Sequence, residues 1–136
     1  MIVQRLSSLM IPLLAGIIYG SWAAYSNSEY GFAIALRTGI AQGSYAFFST
    51  WIVTEAAKRT YFKFSEDSNK RKGMITGFIA SFGLMLSIPL IIHTLIETPD
   101  MWQSMAPGLI WGSVYILLYL SRLNQQEGVQ VTELSS

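Results

Sequence analysis

The residues able to do proton or metal chemistry in this chain are few: one histidine, eight carboxylates and no cysteine. His93 stands alone, so neither a conventional zinc site nor a bis-histidyl haem site can be assembled from one copy, and no metal or cofactor is expected. Glu97 follows His93 by four residues, the spacing at which two side chains meet on a helix. The simple reading bonds the imidazole to a carbonyl or to Glu97. Arg37 is the third member of this set. It sits among apolar residues, where a cation is costly unless it snorkels to the headgroups or finds a partner. Snorkelling explains it without a site; the functional reading joins Arg37, His93 and Glu97 into an outer polar cluster that binds an anion or relays protons. Glu55 precedes Lys58 by three residues and Arg59 by four, which predicts a helical ion pair rather than a proton-carrying acid. No nucleophile with a neighbouring base, no carboxylate pair and no metal cluster is visible, so an enzyme is not expected.

These side chains must be positioned by elements suited to an apolar solvent. Of 136 residues, 51% are hydrophobic and only 12% charged, and the apolar residues form long blocks rather than an alternating pattern. A block of about 20 residues at 1.5 Å rise matches the hydrocarbon core of a bilayer. The sequence therefore predicts an all-α integral membrane protein with four transmembrane helices in a compact bundle, over residues 6–25, 30–57, 73–95 and 105–123. A polar cytoplasmic loop is expected at 58–72 and a disordered tail at 124–136. The first block could be a signal peptide, since Arg5 precedes it, but its length favours a retained span. The charge-free part of helix 2, between Arg37 and Glu55, is only 17 residues long and barely spans by itself. Ser26-Asn27-Ser28 reads as a turn offering an N-cap, Pro89 as a kink in helix 3, and Thr98-Pro99 as the start of a short surface helix ending near Met105.

Lysine and arginine set the orientation of short-looped membrane proteins. Arg5, the six basic residues from Lys58 to Lys72, and Arg122 share one side of a four-span arrangement, which leaves only Arg37 on the other. Both termini are accordingly expected in the cytoplasm, in a cell membrane such as a bacterial inner membrane. A net charge of +1 with no basic stripe argues against nucleic-acid binding.

Each predicted helix carries glycines four apart: Gly16 and Gly20, Gly39 and Gly43, Gly73 and Gly77, Gly108 and Gly112. Small faces of this kind let helix backbones approach closely and replace the hydrophobic driving force that lipid cannot supply. On helix 4, Trp111, Tyr115 and Tyr119 share a face beside the glycines. They suit core packing and interface anchoring first, and a ring-bearing ligand second. The expected function is that of an accessory or assembly subunit that packs through its glycine-lined faces against itself or another membrane protein. The alternative is a small oligomeric transporter or flippase-like protein whose outer polar site centres on Arg37.

Overall fold

Four helices in up-down-up-down order make up nearly all of the described chain. The computed structural model describes residues 2–65 and 69–135, with side chains from residue 8 onward except at 131. The helices are α1 (Ile2–Ser26), α2 (Phe32–Phe64), α3 (Lys70–Leu95) and α4 (Met101–Ser135), with one 3-10 turn at Ser28–Tyr30 between the first two. Residues 66–68 of the expected loop and the side chain of Arg5 lie outside the described residues.

Several boundaries differ from the sequence reading, each for a local reason. The segment 58–72 is mostly helical rather than loop. Alanine and long straight side chains carry α2 on to Phe64, Arg59 bonds Glu55 one turn back at 2.7 Å, and the Ser65 N–H closes the helix on the Tyr61 carbonyl. Helix α3 starts at Lys70, not Gly73, because the Asn69 side chain accepts a hydrogen bond from the Lys72 N–H at 3.1 Å. The expected surface helix near 100–105 is the first turn of α4 itself, with Pro107 inside that helix. Nor does α4 stop at Leu123. Its glutamines, Glu127 and Leu134 are good helix formers, and the Tyr61 hydroxyl donates to Glu127 Oε2 at 2.9 Å, tying the extension of α4 to α2.

Burial is inverted relative to a protein that folds in water. The buried residues of α3 are Gly73, Gly77, Ser81, Met85, Pro89 and His93, whereas Ile79 and Leu95 are 64% and 78% exposed. These buried positions recur every fourth residue, and each step overshoots a helical turn by about 40°. The stripe therefore winds round the helix. Its first half faces α2, where a Cβ on Gly73 would lie 2.7 Å from the Tyr61 carbonyl oxygen and one on Gly77 3.1 Å from that of Ala57. Ser81 continues the row by donating to the Val53 carbonyl at 3.3 Å. Farther along, Met85 meets α4 at Gly112, and His93 returns to α2 at Gln42. The apolar core gathers at the far end of the bundle from His93, around Val53, Ala57, Tyr61, Ile116 and Leu120.

Three helices are long and apolar enough to cross a membrane: Ser8–Ser26 within α1, Lys70–Leu95 and Met101–Ser135. Helix α2 is more polar, with Thr38, Gln42, Ser44, Ser49, Thr50 and Thr54 between its charges. It also packs against each of the other three helices, and of these polar side chains only Ser44 is exposed.

Candidate functional site

At the end of the bundle where α1 and α3 finish and α2 and α4 begin, polar side chains from all four helices interlock. Gln42 Oε1 lies 2.7 Å from His93 Nε2, and Thr98 Oγ1 lies 2.8 Å from Nδ1. A carboxamide oxygen only accepts, so Nε2 carries the proton and Nδ1 accepts from the Thr98 hydroxyl. Both ring nitrogens of the neutral imidazole are thus engaged, and the residue is 1% exposed. A second ring of bonds lies beside the first. Asn27 Nδ2 donates to the Ala23 carbonyl and to Ser104 Oγ, each at 2.8 Å. Ser104 donates in turn to the Asp100 carbonyl at 2.8 Å, and the Asp100 N–H returns to Asn27 Oδ1 at 3.0 Å. Trp22 Nε1 adds a bond to the Gln103 carbonyl at 2.8 Å. Buried polar groups satisfied in this way make a rigid closure that clamps α1 to α4 and α2 to α3.

No hydrogen bond or ion pair joins Arg37, His93 and Glu97. His93 is inside the closure, while Arg37 and Glu97 are exposed. Arg37 makes no hydrogen bond or ion pair among the described residues, and Glu97 sits in the tight turn after α3 with φ of 53°. Asn27 and Thr98 serve this closure instead of capping helices. Gln42, 51 positions away on α2, is the histidine's partner. The group draws one polar residue from each helix or the turn just after it: Asn27, Gln42, His93 and Ser104.

The glycines form two kinds of contact. Gly16 and Gly20 of α1 meet Gly39 and Gly43 of α2 backbone to backbone. A Cβ on Gly20 would fall 2.8 Å from the Gly39 carbonyl oxygen, and one on Gly43 2.8 Å from that of Gly16. This close seam leaves an open groove on its outer face, about 560 Å³ in volume, whose floor is Gly16, Gly20, Ala24, Gly39, Gly43 and Ser44 and whose rims are Leu13, Ile17, Leu36, Ile40, Phe47 and Phe48. Three residues before Ile40, on the same exposed stripe of α2, stands Arg37. On α4, Gly112 faces Met85 and Gly108 lies near the Gln42 amide.

Between the helices, on the core side of the polar closure, lies a partly enclosed cavity of about 170 Å³. All four helices line it: Tyr19 from α1, Tyr45 and Ser49 from α2, Met85 and Pro89 from α3, and Trp111 and Tyr115 from α4 are among its walls. Among the described residues, no charged one borders it. Tyr119 stacks on Tyr115, with ring centroids 6.4 Å apart, and packs against the apolar core.

By its fold the protein is a four-helix bundle with inverted burial. No protein-family model matches the chain, and no curated protein or solved structure matches it either.

Proposed function

We propose that this is an integral membrane protein that crosses the bilayer four times with both termini in the cytoplasm, and that it acts as an accessory or assembly subunit by docking a transmembrane helix of a partner protein. Membrane insertion is supported by the inverted burial, since lipid tails solvate Ile79 and Leu95 while small and polar residues pack inside. Helix α2 pairs with α1 near Gly43 and with α3 near Tyr61. It therefore shares the depth of two neighbours that are long enough to span.

The observation that carries the docking role is the groove of small residues along the α1–α2 seam, with the unpaired Arg37 next to its rim residue Leu36 in sequence. A floor of glycine, alanine and serine admits a helix backbone at close range. Arg37, exposed to an apolar solvent without a counter-charge, favours a partner helix that brings a carboxylate to the same level. The transporter alternative draws on a joint site of Arg37, His93 and Glu97, and no hydrogen bond or ion pair joins those three residues.

Photocrosslinking tests the reading. A photoreactive residue at Ser44 or Ile17 is expected to capture one defined heterologous membrane protein, the adduct disappearing with Arg37→Glu, whereas the same residue at Leu118 on α4 captures none. Adducts that form equally from Leu118 would count against docking. Adducts only with a second copy, together with solute uptake in liposomes lost on Arg37→Ala, would favour the transporter.

A further inference from the structure

The interior cavity has a size and wall chemistry of its own, independent of the outer groove. The geometry points to a binding site for a neutral, single-ring amphiphile, a ring with oxygen acceptors and a hydrocarbon tail. Size sets the first limit. A dry protein cavity of about 150 Å³ holds one benzene molecule, so 170 Å³ admits one substituted six-membered ring and not two. The walls set the second. Tyr19, Tyr45, Trp111 and Tyr115 offer ring faces and edges, and Met85 and Met105 offer thioethers, which pack favourably against a ring.

Hydrogen bonding sets the third limit. The hydroxyl of Thr50 is already given to the Ala46 carbonyl at 3.2 Å, and so is that of Ser49. The Tyr45 hydroxyl makes a long contact of 3.4 Å to the Met85 carbonyl and also meets the Ser49 side chain. Tyr19 makes no hydrogen bond among the described residues. Tyr19 therefore has an unused donor and Tyr45 a weakly engaged one, and a ligand with carbonyl or ether oxygens would use them. With no charge on the walls, a charged head is disfavoured.

A route for the tail lies at the cytoplasmic side. A second recess of about 420 Å³ shares Ile11, Thr50 and Tyr115 with the cavity and runs between α1, α2 and α4 to Glu55. Pro12, inside α1, lines the same recess. An alkyl chain can thus leave the ring site between α1 and α4 and continue among the lipid tails.

The test uses the full chain in phosphatidylcholine nanodiscs with two probes: a 1,4-benzoquinone carrying a decyl chain, and decylbenzene, which has the ring and tail but no oxygen. The readouts are tryptophan fluorescence quenching and the thermal unfolding midpoint. Saturable quinone binding that raises the midpoint is expected for the natural chain. Ala15→Leu and Ser49→Leu each place a larger side chain in the cavity and should weaken quinone binding at least about tenfold, about 1.4 kcal/mol, with the ligand-free midpoint unchanged or higher. Tyr19→Phe should weaken the quinone and leave decylbenzene as it was. Should one filled variant fail to fold, the other decides. Equal quinone binding in the natural and filled chains would reduce the effect to partition into lipid and overturn the site. Decylbenzene binding as tightly as the quinone would overturn the assignment of an oxygen-bearing ring.

Discussion

His93 shows how much a single buried side chain depends on residues far away in sequence. Removing it with His93→Ala leaves the Gln42 carboxamide and the Thr98 hydroxyl buried beside an empty space, and an orphaned buried polar group costs about 1–3 kcal/mol. A loss of that order is expected in the thermal or denaturant stability of the detergent-solubilised protein, with Gln42→Leu and His93→Leu together costing less than the sum of the two single changes. Additive losses would mean that the 2.7 Å contact contributes nothing. Sequence spacing placed His93 opposite Glu97, because i to i+4 is the only neighbour relation a sequence displays directly. The actual partner comes from α2, 51 positions away, and depends on how α3 is rotated against it. Tyr61 carries a second prediction at this scale. It lies near the C-terminal end of α2, where burial and then the Glu127 carboxylate push its phenol up to about 12. The folded state keeps its proton more tightly than the unfolded chain does, so its contribution is full below the ordinary tyrosine value of 10.0 and is lost as pH rises toward 12. In Tyr61→Phe the fall in stability across that window should be shallower than in the natural protein; matching profiles would contradict this role.

Helix pairs make a different demand, because at this scale glycine matters by what lies opposite it. The eight spaced glycines were legible as small faces, but which helix each face meets was not, since all four helices carry the same spacing. Gly20 and Gly43 each have a carbonyl oxygen within 2.8 Å of where a Cβ would stand, whereas Gly83 has open space. Backbone atoms cannot move aside as a side-chain tip can. Gly20→Ala and Gly43→Ala are therefore expected to push α1 and α2 apart and to cost about 1–3 kcal/mol, the usual range for overpacking. Gly83→Ala should instead be neutral or stabilising by about 0.5–1 kcal/mol, because it removes unfolded-chain freedom without a clash. Thermal unfolding of the three variants in one detergent decides the matter, and a stable Gly20→Ala would disprove the close seam. Helix ends were the least legible feature. Charge density at 58–72 suggested a loop, yet Lys, Arg and Ala are strong helix formers, and a charged helix that has left the bilayer meets no penalty for its charges. Tyr61 and Glu127, 66 positions apart, tie two such extensions together.

For the whole molecule the decisive question is whether α2 crosses the bilayer, because that fixes the side on which each loop and terminus lies. Composition speaks only for α1, α3 and α4; if those alone spanned, the two termini would face opposite compartments. Packing speaks for α2 as well. It meets α1 at Gly39 and Gly43 toward one end of the bundle and α3 at Ala57 and Tyr61 toward the other, so it traverses the same thickness as they do. At about 1.5 Å per residue, 33 residues extend for about 50 Å, more than a hydrocarbon core of about 30 Å requires. With four crossings, the bundle gathers Lys58, Arg59, Lys63, Lys70, Arg71, Lys72 and Arg122 at the end where α1 begins, and leaves Arg37 at the other. On the proposed topology that end is the cytoplasmic one, by the distribution of basic residues. Because the chain has no cysteine, one can be introduced at Ser28 in the 3-10 turn or at Thr132 near the end of α4, both exposed positions. In intact cells a membrane-impermeant maleimide should label Ser28→Cys and spare Thr132→Cys until the membrane is opened. Labelling of Thr132→Cys from outside would leave an odd number of crossings or an inverted bundle, and under either the basic cluster would face the wrong compartment.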